Sequence, residues 1–239
     1  MYTELPYRLD GAVVWTNTGT SNSRVLPDGC LDLIWLNGTM IVAGPDTHAH
    51  LSPAMPGATC VGVRFRPGQG PGVLGLPAAE VRDCRPDLDR VWPATQARRL
   101  AEVVGGAADR PAALAAEVAW RLRRAGPLDP VTEVVSASLL AGHTVAATAD
   151  AVGLGPRQLH RMSLHAFGYG PKTLAKVLRF RRALALAHDG VPFATVAATT
   201  GYADQAHLSR EVRLFTGVPL RTLLGDRVRT GGWAGEDSG

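Results

Sequence analysis

The 239-residue chain has no apolar run approaching the ~18 residues that cross a bilayer, so no membrane partner is expected. Its opening, "MYTELPYRLDGAVVW", lacks the basic segment followed by an apolar segment that marks secretion, which sets the expectation of a soluble cytoplasmic protein. There are only three cysteines, Cys30, Cys60 and Cys84, an odd number without CxxC spacing. That argues against a disulfide framework and against a zinc ribbon. Cys30, His48, His50 and Cys60 are ligand types that zinc accepts, but their spacing matches no local zinc pattern. Buried cysteines and loop histidines are the expected reading, with no metal and no cofactor. "RPGQGPG" (66–72) has glycines but no GK[ST], so it reads as a turn after a strand, not a phosphate loop. No Ser/His/Asp set and no carboxylate pair stands out, and an enzyme is not expected. A cysteine-dependent DNA-repair enzyme would need a Pro-Cys-His-like nucleophile, and none of the three cysteines has that context.

What the chain has is 46% hydrophobic residues, enough for real cores. Residues 12–66 read as strands. "LDLIWL" (31–36) and "TMIVAG" (39–44) flank Asn37-Gly38, a strong hairpin signal because Asn-Gly tolerates a type I′ turn. "CVGVRF" (60–65) is a third strand, and many short strands with turns suggest a small antiparallel barrel or sandwich. The pattern then turns helical. "PATQARRLAEVVGG" (93–106) and "PAALAAEVAWRLRRAG" (111–126) open with Pro and close with Gly. "PVTEVVSASLLAG" (130–142) follows, and 144–225 is helical throughout. The expected class is α+β, with a β-rich unit and connecting helices over 1–128, an all-α unit over 129–230 and a disordered tail over 231–239.

Charge is uneven. Residues 1–130 carry 13 basic and 13 acidic groups. Residues 156–229 carry twelve bases against Asp189, Asp204, Glu211 and Asp226, a surplus of eight that favours a polyanion such as nucleic acid.

Inside this basic region lies a repeat. "TVAATADAVGLGPRQLHRMSLHAFG" (144–168) parallels "PFATVAATTGYADQAHLSREVRLFTG" (192–217). Each has a short Ala-rich helix, a turn holding a Gly (Gly153, Gly201), a second helix with an Arg (Arg161, Arg210) and a later Gly. Turn to Arg is eight residues in one copy and nine in the other. Helix, Gly turn, helix is the helix-turn-helix pattern. Leu208, Val212 and Phe215 form one buried stripe, and Leu159, Met162 and Ala166 the other. The outward, N-terminal positions are then Arg157, Gln158, His160 and Arg161, and Gln205, Ala206, His207 and Arg210. A recognition helix uses this half to meet base edges. Arg pairs with guanine, Gln with adenine, and Ala sits against a thymine methyl. "GPKTLAKVLRFRRALALAHDG" (170–190) joins the copies as one helix of about 27 Å, with Lys172, Lys176 and Arg179 as phosphate contacts.

These residues resemble the AraC/XylS family of bacterial transcription regulators. "VAATTGYADQAHLSREVRLFTGVP" (196–219) carries the resemblance, with a weaker match in "ADAVGLGPRQLHRM" (149–162) and "GYGPK" (168–172). It implies two helix-turn-helix subdomains joined by a long helix, each placing one helix in the major groove. Carried over by position, the base-facing residues are Arg157, His160 and Arg161, then Gln205, Ala206, His207 and Arg210. Two departures stand out. Gly155 and Pro156 replace the usual Ser cap, and Ser163 takes the place of a buried Phe. "PDGCLDLIW" (27–35) and "VGVRFRPG" (61–68) followed by "VLGLPAAEVRD" (73–83) more loosely resemble the cupin-like barrels that precede this unit, which sense a ligand, dimerise, or both. By residue type the ligand candidates are Trp15, Trp35, His48 and Arg64.

The expectation is a sequence-specific DNA-binding transcription regulator. Its partners are double-stranded DNA, a small-molecule effector, a second copy of the chain, and RNA polymerase for an activator. The alternative is a ligand-independent architectural or adaptor protein whose N-terminal unit only dimerises.

Overall fold

In the computed structural model, which describes residues 2–19, 22–225 and 228–229, tight turns organise the first half. β1 (Tyr2–Leu9) returns as β2 (Ala12–Asn17) through Asp10-Gly11, and β4 (Leu31–Leu36) returns as β5 (Thr39–Ala43) through Asn37-Gly38. All four turn residues have positive φ (49°, 81°, 48° and 88°). That backbone suits the right-handed twist of the paired strands. β7 (Cys60–Phe65) is the centre of an antiparallel sheet ordered β1-β2-β7-β4-β5, and all six of its residues are buried. β3 (Ser23–Val25) pairs with β6 (His50–Ser52) and with β8 (Val228–Arg229) in a second, smaller sheet.

Alternation sorts the large sheet into two faces. Val14, Leu33, Val63 and Phe65 meet Leu100 and Val104 of α2 (Ala94–Gly106) and Leu114 and Val118 of α3 (Arg110–Ala125) in one core. Trp15, Asp32 and Arg64 point the other way. Trp15 stands opposite Gly62, and a Cβ on Gly62 would come within 2.3 Å of the indole. Only Gly lets the ring lie flat on β7. The turn expected over 66–72 is present at 67–69 and runs on into a short helix, α1 (Gly70–Leu74), where Pro71 at its start fixes a helical φ.

The second half is helical: α4 (Pro130–Ala141), α5 (Val145–Ala151), α6 (Pro156–Phe167), α7 (Pro171–His188), α8 (Phe193–Thr200), α9 (Gln205–Thr216) and α10 (Leu220–Gly225). Asp129 caps α4 by accepting from Val131 and Thr132 N–H, and Thr144 caps α5 through Ala147 N–H. α7 is the axle. Leu174, Val177, Leu178, Phe180 and Leu184 run along its buried side and join Leu139, Leu159, Phe167, Val196, Leu208, Val212 and Phe215 in a second core. One core thus spans Leu9 to Leu122 and the other Val135 to Leu223, with Leu26 reaching across to the second. Among the described residues no helix is long and apolar enough to cross a membrane. The tail, 231–239, lies outside the described residues.

Candidate nucleic-acid interface

The repeat is tighter in space than in sequence. The turns joining α5 to α6 (152–155) and α8 to α9 (201–204) each hold four residues, and α6 and α9 each have 12. Arg161 and Arg210 are both the sixth residue of their helix. The unequal spacing of eight and nine arises because Gly153 is the second turn residue and Gly201 the first. Both have positive φ, 64° and 79°, a region a side chain makes costly. Leu154 N–H donates to Ala149 O and Tyr202 N–H to Ala197 O, closing the two turns alike. Each second helix ends at a left-handed Gly, Gly168 or Gly217.

This register sorts the outward residues by position. Arg157, His160 and Arg161 are exposed on α6, as are Gln205, Ala206 and Arg210 on α9. The third residues behave differently. Gln158 Oε1 accepts from Gly155 N–H at 3.0 Å, the return half of a capping box whose other half Gly155 has no side chain to supply. His207 Nδ1 accepts from Ala203 N–H at 3.3 Å, and its ring stands edge-on to Tyr202. Each thus also bonds to the start of its own helix, while Gln158 stays exposed and His207 half-buried. At the fifth position, where α6 carries His160, α9 carries Ser209, a residue not singled out from the sequence, exposed and donating to Gln205 O at 2.9 Å. Only the spatial register reveals that equivalence.

The buried faces hold two surprises. On α6 the stripe is Leu159, Ser163, Ala166 and Phe167, with Met162 only half-buried. Phe167 is buried in the core, and Ser163 is buried with a hydroxyl that has no partner among the described residues. On α9, Glu211 is buried, and Arg179 of α7 reaches it through Nη2 at 2.9 and 2.7 Å. The guanidinium also lies 4.3 Å over the Tyr202 ring. Burial works against the Arg179 charge, but hydrogen bonds to Glu211 and its carboxylate outweigh this and hold the pKa up. Burial, then Glu211, pushes the Tyr202 phenol up. Arg179, expected on phosphate, is therefore committed inside the second unit. Lys172 and Lys176 remain exposed on α7.

The N-terminal half holds the far end of both outward helices. Arg82 Nη1 donates to Gly168 O at 3.0 Å, just past α6, and Arg24 Nη1 donates to Thr216 O at 2.6 Å, at the end of α9. Cationic donors suit these ends, where helix carbonyls lack partners. One loop between β5 and β6 reaches both units. Asp46 O accepts from Tyr169 Oη, and Ala49 N–H donates to Phe215 O at 2.6 Å. Arg85 fixes Asp46 by a hydrogen bond of 2.8 Å.

The ligand candidates do not converge. Trp15 Nε1 donates to Asp32 Oδ1 at 2.7 Å, and Arg64 lies 3.4 Å from both Asp28 and Asp32, all buried or nearly so. Burial opposes the Arg64 charge, and the two aspartates overcome it. Trp35 is elsewhere, bonded to Ala101 O at 3.1 Å, and His48 is exposed beside Thr47. Trp15 and Arg64 thus share one polar cluster, Trp35 belongs to the helix-packed core and His48 to the surface. Cys30 and Cys60 are buried and Cys84 is exposed, and burial pushes the Cys30 thiol well up.

Comparison with known proteins follows this division. Residues 148–225 match the family described as Helix-turn-helix domain, and residues 12–87 match a Domain of unknown function (DUF6597). No curated protein sequence matches the chain. Among solved structures, an apo variant of ToxT from Vibrio cholerae is 12% identical, covering 90% of this chain and 96% of that one, with a TM-score of 0.46. ToxT bound to an unsaturated fatty acid is 11% identical, covering 89% and 94%, at a TM-score of 0.44. Similarity this low carries no residue role across. Residues 148–225 are therefore a helix-turn-helix domain.

Proposed function

We propose that the chain is a sequence-specific DNA-binding transcription regulator whose α6 and α9 enter successive major grooves. The observation that carries this is the shared register of the two units: equal turns, equal helices and an exposed Arg at the sixth position of each. Arg161 and Arg210 have the donor geometry for guanine, Gln205 for adenine, and Ala206 the size to meet a thymine methyl. Arg157, His160 and Ser209 flank them. Lys172 and Lys176 on α7 supply phosphate attraction, which gives affinity without sequence preference. At about 27 Å α7 is near the ~34 Å between successive grooves on one side of a duplex. Residues 1–128 form the unit that senses or dimerises, and 129–230 the unit that reads. A small effector acts by binding one arrangement of the two units better than another. The protein works where the DNA is, with RNA polymerase as a further partner at promoters it activates.

The test begins with selection of bound sequences from random duplex DNA. On the selected site, Arg210→Ala and Arg161→Ala are each expected to weaken specific binding by about 1–3 kcal/mol while weakening nonspecific binding less. Equal losses on both DNAs would make the arginines phosphate contacts. An affinity that stays flat from ~50 to ~200 mM salt would remove the DNA reading altogether.

A further inference from the structure

The two repeats part company at one place in their shared register. At the fifth position of its outward helix the first unit carries His160 and the second Ser209. Gly170 and Pro219 correspond in the same way, each being the residue before the next helix. In the second unit Ser209 turns its hydroxyl back to Gln205 O at 2.9 Å, and Gln205, Ser209, Arg210 and Pro219 border an open groove of about 340 Å³. In the first unit an imidazole stands in the corresponding place. A Cβ on Gly170 would come within 2.8 Å of His160 Cε1 and 3.0 Å of its Nδ1, too close for the ring to stay where it is. The ring therefore lies directly on the glycine, while His160 remains exposed. The backbone does not call for a glycine here. Gly170 has φ −68° and ψ 157°, extended values open to any residue, and its carbonyl accepts from Thr173 and Leu174 N–H at 3.0 Å to start α7. A Ser would cap that helix better. What the missing side chain provides is room for the imidazole.

We infer that Gly170 is a positioning residue for base reading: it seats His160 against the α6–α7 turn, one ring edge held and the other presented to the major groove, where a ring N–H donates to N7 of one purine. This rests on the reading of α6 as a DNA-contacting helix and adds one base pair to what the first unit specifies. Fixing a mobile side chain opposes binding. A ring that is already seated has less freedom to lose, so its hydrogen bond is expressed as sequence preference. Ser209, bonded to its own helix beside an open groove, has no such seat.

The full-length protein is tested in two ways. Without DNA, NMR should show a nuclear Overhauser contact between the His160 ring protons and the Gly170 α-protons. With DNA, each base pair under α6 is varied in turn on the site selected from random duplexes. His160→Ala should reduce the preference for a purine at one base pair by about three- to tenfold, the worth of one hydrogen bond. Gly170→Ser should reduce it at the same base pair by a similar factor, and the double variant should lose no more than either alone. Gly170→Ala, which adds the Cβ without a hydroxyl, should match Gly170→Ser. Preferences under α9 and the salt dependence should stay those of the parent, and Gly170→Ser should unfold in urea no earlier. A merely structural role for Gly170 would weaken all sequences alike. That result overturns the assignment, as does a missing ring contact, a His160→Ala variant with unchanged preferences, or Gly170 variants that keep the preference His160→Ala loses. A parent that selects no sequence overturns the DNA reading and this assignment together. Lost specificity in Arg161→Ala beside unchanged Gly170 variants overturns this assignment alone.

Discussion

Removing either partner of the Arg179–Glu211 pair should damage the fold more than it damages DNA binding. Side-chain exposures are 25% for Arg179 and 8% for Glu211, with the closest contact at 2.7 Å. At an effective dielectric near 20 two charges ~4 Å apart attract by about 4 kcal/mol, but both have lost hydration to meet. The net value of the pair is therefore modest, whereas stranding one member of a buried pair costs about 3–5 kcal/mol. Glu211→Ala leaves an arginine that can still reach water, so its cost belongs at the low end, about 3 kcal/mol. Arg179→Ala strands the more deeply buried carboxylate and should cost at least as much, although His207 Nε2 at 3.7 Å offers it a second partner. In a double-mutant cycle by urea unfolding, the coupling should be about 2 kcal/mol. The salt dependence of DNA binding by Arg179→Ala should match the parent, because a residue paired internally releases no counterion. A coupling under ~0.5 kcal/mol together with a salt slope reduced by ~0.9 would refute this and return Arg179 to the phosphate set.

Two further outcomes are expected. Ser163→Ala removes a buried hydroxyl without a partner and improves helix propensity, so thermal unfolding should show a gain of about 1 kcal/mol; a loss would mean the hydroxyl is satisfied. Burial, reinforced by the Arg85 charge, lowers the His50 pKa in the folded chain, with Asp46 only partly opposing. The unfolded chain then protonates first, so this contribution is present above the ordinary value near 6.5 and is lost as the pH falls below it and through the lowered value of the folded chain. Urea titrations of His50→Gln should show less of that loss, and an equal loss would assign it elsewhere. Asp46, pushed up by burial, has the opposite sign at lower pH.

Local signals made much of this structure legible. Asn37-Gly38, the Pro and Gly bracketing of α2 and α3, and the duplicated Gly-to-Arg spacing each depend on residues close in sequence. β1 was overlooked although Asp10-Gly11 carries the same turn signal as Asn37-Gly38, because its burial pattern alternates only weakly. Distant partners were not legible. Arg179 sits in a basic stretch like any solvated arginine, and nothing local announces Glu211 32 residues on. Trp15 and Arg64 looked like ligand groups by type. The β2–β7 register that seats Trp15 on Gly62 and turns Arg64 toward Asp32 is a property of pairing. Helical period places Gln158 and His207 outward, but it does not show that each also bonds to the start of its own helix.

Arg24 and Arg82 hold opposite ends of the reading unit from a single outside body. Both contacts are made by residues of the first half, one from β3 and one from the segment after α1, so the first half acts as a gauge block. Under the proposed reading, the angle between α6 and α9 would then be set from outside as well as by α7, and a narrow range of spacings between the two contacted sites would be accepted. Releasing one contact would leave the base preferences in place while widening the spacings tolerated.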